Sequence, residues 1–206
     1  MTKPNSQAEH KKQLRRQLGM QRRQLTRQQQ QQYTHQFSQQ IRRCRPIIAA
    51  RRIGIYLPIL GEAPAQLIQH LSTPSTQIYI PHIVNYQRHI MCFTPITNKQ
   101  RPNRWAIKES TTLAGALWPK QLDVVVMPLL AFDSHGNRLG MGGGFYDRAF
   151  AYKQYQSNIT NRPKLIGLAY DFQQVTALPV DDWDIRLDMV VTNRQVIYNH
   201  PSDQNH

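Results

Sequence analysis

The spacing of apolar residues divides the chain into alternating helical and strand-like segments. Residues 6–18 predict a basic helix, with Leu14 and Leu18 four positions apart, and a second helix is predicted to begin after Thr26, which forms a capping box with Gln29. Strand-like apolar runs follow at residues 52–57, 77–81, 89–95, 122–128 and 164–170, with helices predicted around residues 65–71 and over residues 148–156. This alternation predicts a three-layer α/β/α fold with a largely parallel or mixed central sheet.

The same pattern indicates how the chain is divided. An apolar residue recurs every four positions in the second helix, at Tyr33, Phe37 and Ile41. We expect this stripe to face the core. A chain of 206 residues with 40% hydrophobic content can fill one sizeable core. We therefore expect a single domain over residues 1–206, with basic helices over residues 6–44 and a polar tail over residues 198–206.

Composition and hydropathy indicate a cellular compartment, but the net charge leaves the class of binding partner open. Cys44 and Cys92 lie far apart with no metal-ligand spacing, so neither a disulfide scaffold nor a zinc site is indicated. The chain has no secretory pattern and no run of eighteen apolar residues, which predicts a cytoplasmic protein that does not enter the membrane. The net charge of +14 suits a nucleic-acid binder, but it also suits an enzyme of a polyanionic small substrate.

Candidate chemistry is concentrated in residues 137–148, which read Asn-Arg-Leu-Gly-Met-Gly-Gly-Gly-Phe-Tyr-Asp-Arg. Its four glycines let a ligand approach the backbone and permit positive φ, so that successive N–H groups can point into one concavity. A helix beginning near Phe145 and the charge of Arg138 favour a phosphate there. Asp147 is placed to hold Mg²⁺ against such phosphates. The segment therefore predicts a triphosphate site.

Two better-known phosphate motifs do not fit this segment. No Gly-Lys-Ser/Thr follows the glycines, as a P-loop requires, and the sixth position counted from Gly140 is Phe145 where a dinucleotide fingerprint has glycine. A flexible turn with a solvated Asp147 is the alternative. The strand-like run before the segment and the aromatic pair at its end favour a built site instead.

The segment also resembles a known family. Residues 122–128 (LDVVVMP) and 131–148 (AFDSHGNRLGMGGGFYDR) are similar to the signature of the 5-formyltetrahydrofolate cyclo-ligases, in the bacterial form with Met141 and Gly143. The resemblance covers roughly residues 11–196. It implies an ATP-dependent, Mg²⁺-assisted closure of 5-formyltetrahydrofolate to 5,10-methenyltetrahydrofolate, with these small molecules as partners and a monomeric enzyme.

The resemblance also assigns roles to individual residues. ATP would be held by Lys11, Arg15, Arg138, Leu139, Gly140, Met141, Gly142, Gly143, Gly144, Phe145 and Tyr146. Folate would be held by Leu57, Glu62, Met141, Gly142, Gly143, Gly144 and Phe145. Catalysis is assigned to Arg138, Tyr146 and Asp147, and the metal to Asp147 and Asp184. A carboxylate at Glu62 has a physical use, because two oxygens can accept the donor pair of a pterin.

Other residues receive no catalytic role. His82 and His89 lack a third ligand or an acidic partner in the sequence, and Asp188 is expected to be structural. Ala106 and Ser110 depart from the Gly and Pro that the family usually carries in a loop near the substrate.

Two alternatives stay open. The first is a basic nucleic-acid-binding module, suggested by the arginine-rich first 52 residues. It lacks a recognised reader motif and leaves the glycine loop and Asp147 unused, so we do not expect a nucleic-acid partner. The second is an ATP-binding member of the same family whose substrate has changed.

Overall fold

The computed structural model of the protein describes residues 4–97, 99–103, 107–154 and 162–199. Its α-helices are α1 Pro4–Arg23, α2 Arg27–Arg43, α3 Arg45–Ala49, α4 Leu67–Leu71 and α5 Phe145–Phe150. Its strands are β1 Arg52–Gly54, β2 Gln77–Asn85, β3 Ile90–Pro95, β4 Gln100–Pro102, β5 Lys108–Ser110, β6 Val124–Met127, β7 Ala131–Phe132, β8 Arg138–Leu139, β9 Lys164–Leu168, β10 Met189–Val191 and β11 Val196–Tyr198. No helix in these ranges is long and apolar enough to cross a membrane.

Seven of the strands form one mixed sheet in the order β11-β10-β9-β6-β1-β2-β3. The five inner strands run parallel, and β3 and β11 pair antiparallel at the two edges. The expected mixed, largely parallel sheet is therefore confirmed. β4 pairs with β5 and β7 with β8 in two separate hairpins.

Alternating side chains of the sheet feed two cores. In β6, Val124 and Val126 pack with α2, α3 and α4 on one face, while Val125 and Met127 pack with Phe150 of α5 on the other. Helices therefore cover both faces of the sheet, which gives the predicted three layers.

The start and the buried face of α2 agree with the sequence. The Thr26 side chain accepts from the Gln29 backbone N–H, and the Gln29 side chain accepts from the Thr26 backbone N–H, which closes the predicted capping box. Phe37 and Ile41 are fully buried, and Tyr33 packs at the edge of the same cluster.

Two strand boundaries differ from the prediction. β1 ends at Gly54, because its ladder with β2 stops as the chain turns toward Pro58. β2 continues through Pro81 to Asn85, although proline usually ends a strand. Beyond Tyr79, β2 is paired only with β3, so the missing N–H of Pro81 removes no bond from a second ladder.

Other boundaries moved for local reasons. His89 has a positive φ of 52°, so β3 begins one residue after it. The helix predicted over residues 148–156 is α5, which ends at Phe150 and tightens into a 3₁₀ turn over Ala151–Gln154. Residues 155–156 lie outside the described residues, as do Ala106 and most of the expected tail, while Tyr198 belongs to β11.

The loops that follow β1, β6 and β9 gather at one end of the sheet, and α1 lies against them. Arg22 of α1 touches the carbonyls of Leu60, after β1, and Leu129, after β6. Ligands of open α/β sheets bind at the carboxyl ends of the parallel strands. This end is therefore the first place to look for a site.

Candidate active site

One face of α1 carries the cations that reach this end of the sheet. Lys11, Arg15, Leu18 and Arg22 are spaced by four, three and four residues, so they lie on one side of the helix. Leu18 is buried against Leu139 and anchors the helix. Lys11, Arg15 and Arg22 are thereby directed at different loops of the site.

The glycine segment lies under Arg15. The Arg15 Nε donates to the carbonyl of Gly140 over 2.9 Å. Residues 141–144 are all exposed, so their backbone is open to a ligand. Gly142 and Gly144 have positive φ, at 95° and 65°, but the other two glycines do not. The expectation of left-handed freedom thus holds for only two of the four positions.

α5 begins where the sequence placed it. Gly144 is its left-handed N-cap residue, and Phe145 is its first residue. Phe145 packs against His89, with ring centroids 4.8 Å apart, and against Tyr86 at 6.4 Å. These contacts fix the end of the glycine segment against the turn between β2 and β3.

Lys11 lies between two acids that follow β9. Its Nζ is 2.7 Å from Asp181 Oδ2 and 2.9 Å from Asp184 Oδ2. Burial acts to lower the pKa of Lys11, but the hydrogen bonds and charges of the two carboxylates outweigh it and raise the pKa above 10.5. The structure thus pairs a predicted phosphate ligand, Lys11, with a predicted metal ligand, Asp184.

A second pair of predicted residues is also joined. The Arg138 guanidinium lies 2.6 Å from Asp147 Oδ1, which also accepts from the backbone N–H of Ile185 at 3.3 Å. Arg138 is only 9% exposed and its buried Nε has no hydrogen-bond partner. The Asp147 side chain is 22% exposed, so it faces the open side of the pair.

The hairpin of β7 and β8 holds Arg138 in this position. At its turn, the buried Asp133 accepts from the backbone N–H groups of His135, Asn137 and Leu178. Asp133 is therefore structural, and the sequence analysis missed it. The Asp-Ser-His-Gly turn at residues 133–136, with Gly136 at a φ of 79°, was the available signal.

Glu62 forms the other end of the site. It is buried, its Oε2 accepts from the backbone N–H of Ile59 at 3.1 Å, and its Oε1 lies 3.7 Å from Arg22. Burial raises the pKa of Glu62 above 4.5, against the lowering effects of Ile59 and Arg22. Leu57 is half-buried on the same loop and packs against the core.

Arg22 is the principal residue that sequence reasoning missed. It is 1% exposed, and its Nε donates to Leu60 at 3.1 Å while a terminal nitrogen donates to Leu129 at 3.4 Å. Its position seven residues after Arg15 on the same helical face was the available signal. Arg22 therefore ties α1 to two site loops and places a positive charge beside Glu62.

Tyr146 lies between the two ends. Its ring centroid is 5.9 Å from the Arg138 guanidinium carbon. Desolvation and the charge of Glu62 raise its pKa well above 10.0, although Arg138 acts in the opposite direction. The hydroxyl is therefore a neutral donor at physiological pH.

The remaining predicted residues have other surroundings. The Leu139 side chain is buried in the core, so only its backbone could meet a ligand. His82 Nδ1 lies 3.9 Å from the Glu109 carboxylate. This contact is separate from the ion pairs of Lys11 and Arg138. Asp188 accepts from the Leu165 backbone N–H at 2.7 Å and pairs with lysines, which agrees with the structural role expected for it. Ser110 is buried in β5.

The carboxylates of the site are not grouped as an all-protein metal cage. Within the described ranges, no cluster of three or more His, Cys, Asp or Glu side chains could hold an ion. Mg²⁺ at nucleotide sites usually takes only one or two carboxylates and completes its shell with phosphate oxygens and water. The exposed side of Asp147 fits that smaller requirement.

Comparison with known proteins identifies the family. The model of the 5-formyltetrahydrofolate cyclo-ligase family matches residues 7–193. The 5-formyltetrahydrofolate cyclo-ligase of Escherichia coli is 35% identical over 155 residues, covering 73% of this chain and 82% of the relative. That of Haemophilus influenzae is 37% identical over 146 residues, covering 67% and 73%.

Solved structures agree on the fold. The 5,10-methenyltetrahydrofolate synthetase of Aquifex aeolicus superposes with a TM-score of 0.76 at 22% identity, covering 95% of this chain and 96% of the other. The synthetase of Mycoplasma pneumoniae gives 0.65 at 22% identity, covering 92% and 99%. Because the family model spans nearly all of the chain and two relatives exceed one-third identity, this protein belongs to the 5-formyltetrahydrofolate cyclo-ligase family.

Proposed function

We propose that this protein catalyses the ATP-dependent cyclisation of 5-formyltetrahydrofolate to 5,10-methenyltetrahydrofolate, with release of ADP and phosphate. One observation carries the proposal: α1 contacts the exposed glycine segment through Arg15 and the loop of the buried carboxylate Glu62 through Arg22. A phosphate-binding end next to a pterin-binding end is what a reaction that phosphorylates a folate requires.

The chemistry needs alignment more than it needs a protein nucleophile. The formamide oxygen of the substrate is a poor leaving group, so the γ-phosphoryl group is transferred to it to give an iminium phosphate. The substrate's own N10 then attacks the formyl carbon and loses its proton, and phosphate leaves with that oxygen. The protein's task is to bring the formyl oxygen in line with ATP and to neutralise charge.

Each end of the site has a part in this task. Lys11, Arg15 and the amides of residues 140–145 bind the phosphates of ATP. Glu62, kept in place by Arg22 and Ile59, accepts the donor pair of the pterin. Leu57 and residues 141–145 contact the folate, and Tyr146 lies between the two substrates.

Asp147 holds Mg²⁺ in this proposal, and Asp184 is a second candidate ligand. Bound Mg²⁺ neutralises charge on the phosphates. The fit rests on Asp147 itself: both of its hydrogen bonds are made through Oδ1, and the side chain is partly exposed. Arg138 orients that carboxylate. Cys44 and Cys92 are free and buried, which suits a reducing compartment, so we place the enzyme in the cytoplasm. We also propose a monomer, as the resemblance to the family implies.

The direct test is to mix the purified protein with 5-formyltetrahydrofolate, ATP and Mg²⁺ and to follow methenyl absorbance together with ADP. The proposal expects equal amounts of both products and no methenyl without ATP. ATP hydrolysis without methenyl formation would instead favour a family member with a changed substrate. Absence of both would reject the assignment.

Asp147→Asn tests the proposed role of Asp147 in binding Mg²⁺ separately. The asparagine keeps an oxygen to accept from Ile185 but loses the charge that Mg²⁺ prefers. We expect a folded protein with severely reduced turnover, which higher Mg²⁺ partly restores and higher folate does not. Coincident Mg²⁺ curves for the variant and the parent would exclude the metal role.

A further inference from the structure

A second charged region lies outside the proposed active site. Between Glu9 and Glu62 the chain contains twelve Lys and Arg residues and no Asp or Glu. Five of these cations follow one another closely and form what we call the arginine surface: Arg42, Arg43, Arg45, Arg51 and Arg52. All five are exposed.

The fold keeps these five residues together. Arg43 ends α2, Arg45 begins α3, and α3 has only five residues, so the chain returns to Arg51 after about 7.5 Å of helix. The five arginines are therefore close together along the chain, on either side of the short α3.

The nearest acid anchors the backbone of the surface. Asp123 Oδ2 accepts from the backbone N–H groups of Arg51 and Arg52 at 3.0 and 2.9 Å, and its other oxygen pairs with Arg162. Within the part of the chain that the structure describes, none of the five guanidiniums forms an ion pair. Their charge is therefore available to a partner.

The surface lies at the opposite end of the sheet from the proposed active site. Arg52 begins β1, Asp123 directly precedes β6, and the backbone N–H of Lys164, at the start of β9, donates to Asp123. These are the amino ends of the parallel strands, whereas Glu62 and the glycine loop follow their carboxyl ends. The cyclo-ligase chemistry gives this surface no role.

We propose that the arginine surface binds the phosphate backbone of double-stranded nucleic acid without reading its sequence. Guanidinium groups form bidentate hydrogen bonds with phosphate. Because a duplex presents one negative charge per about 1.7 Å of its axis, the arginine surface can contact several phosphates at once. Such backbone binding needs no base-reading motif, whose absence had counted against nucleic acid in the sequence.

Other polyanions fit less well. Residues 42–52 contain no aromatic side chain on which the bases of a single strand could stack. Ile48 is the one large apolar side chain of these residues that is prominently exposed, at 37%, so the surface lacks the apolar centre of a protein interface. The duplex backbone is the partner that requires charge alone.

Two variants, each with five substitutions and with the same net charge, provide the test. The first replaces the arginine surface with glutamine: Arg42→Gln, Arg43→Gln, Arg45→Gln, Arg51→Gln and Arg52→Gln. The matched control replaces five exposed cations elsewhere: Arg27→Gln, Arg88→Gln, Arg101→Gln, Lys108→Gln and Lys120→Gln. Binding is measured by fluorescence anisotropy with labelled 20-base-pair duplexes of RNA and of DNA over a range of KCl concentrations, with methenyl formation and thermal unfolding recorded in parallel.

We expect the parent to bind a duplex with a slope of log affinity against log salt near −4.5, or about 0.9 per arginine. The surface variant should bind at least tenfold more weakly with a slope near zero, while the control stays within about twofold of the parent. The response to RNA and DNA decides which duplex is bound. Equal loss in both variants would overturn the proposal, as would competition by polyglutamate as strong as that by duplex at equal charge. Because methenyl formation is recorded for each protein, failure of the proposed function is seen separately.

Discussion

Among individual residues, the buried pair of Glu62 and Arg22 sets the charge at the end of the site that we propose binds folate. Glu62 loses solvent on burial, which raises its pKa, while Arg22 at 3.7 Å favours the ionised form. An ionised carboxylate accepts hydrogen bonds with both oxygens, and a protonated one accepts less well. The role of Glu62 therefore depends on the charge of Arg22.

Glu62→Gln should impair the use of folate more than the use of ATP. Glutamine keeps the size of the side chain but removes a charged acceptor, and hydrogen bonds to charged groups contribute about 1.5–3 kcal/mol. We expect folate kcat/KM to fall about tenfold to a hundredfold, with the KM for ATP little changed. Steady-state kinetics of both substrates measure this, and an unaltered folate kcat/KM would remove Glu62 from the site.

Arg22→Lys and Arg22→Met should change the pH profile. We propose that Glu62 binds folate in its ionised form, so we expect folate kcat/KM to fall as pH drops through the raised pKa of that carboxyl. Arg22 lowers this pKa, hence Arg22→Met should move the acid limb to higher pH, and Arg22→Lys should move it less.

Arg23→Met is the matched control for Arg22, because Arg23 is its exposed neighbour on α1. Removing one partner of a buried ion pair costs about 3–5 kcal/mol, so thermal unfolding accompanies the kinetics and Arg22→Lys serves if the methionine variant does not fold. Acid limbs at the same pH in Arg22→Lys, Arg23→Met and the parent would exclude the positioning role.

Among the elements, α1 carries three pairs of adjacent cations, and one member of each pair faces the site. Lys11, Arg15 and Arg22 make the contacts described above, and each is followed by an exposed cation: Lys12, Arg16 and Arg23. Composition counts both members of each pair equally. Only the helical repeat separates them, and it does so because Leu18 fixes which side of α1 is buried.

Lys11→Gln should weaken ATP use, and Lys12→Gln should not. The Lys11 side chain is 11% exposed and lies on the same side of α1 as Arg15, whereas the Lys12 side chain is 77% exposed and lies 3.7 Å from Glu9. We expect the KM for ATP to rise about tenfold or more in the first variant with folate KM unchanged. Equal ATP KM values in the two variants would show that Lys11 does not bind the phosphates.

The glycine loop provides a test of backbone conformation. Gly144 has a φ of 65°, and a Cβ there would meet nothing within 4 Å, so Gly144→Ala changes conformational energy alone. We expect the free energy of unfolding to fall by about 1–2 kcal/mol. Gly143→Ala, whose Cβ would lie 3.3 Å from Phe145, lacks the positive φ and should cost less. Chemical denaturation measures both, and a larger loss at Gly143 would contradict this description of the loop.

A feature could be predicted from the sequence when the residues that determine it are close together along the chain. The capping box at Thr26 and the start of α5 at Gly144 depend on neighbours a few residues away, and both were predictable. The ion pairs Lys11–Asp184 and Arg138–Asp147 depend on the fold, and no local pattern encodes them. Likewise, Pro81 remains within β2 only because β1 is shorter than β2.

In the whole molecule, the sheet separates two kinds of charge. Loops at the carboxyl ends of the strands combine cations with the acids Glu62, Asp147, Asp181 and Asp184. The amino ends carry the unpaired arginines of the arginine surface. A net charge of +14 therefore describes neither end, and variants that change only one end should separate catalysis from polyanion binding.

We propose that ATP phosphorylates the formyl oxygen of the folate in this site. The most direct measurement uses 5-formyltetrahydrofolate labelled with ¹⁸O in the formyl group, a single turnover with ATP, and mass spectrometry of the released phosphate. We predict one ¹⁸O atom in each phosphate for each methenyl formed, because the oxygen leaves bonded to phosphorus. Unlabelled phosphate with the ¹⁸O recovered in water would contradict the account.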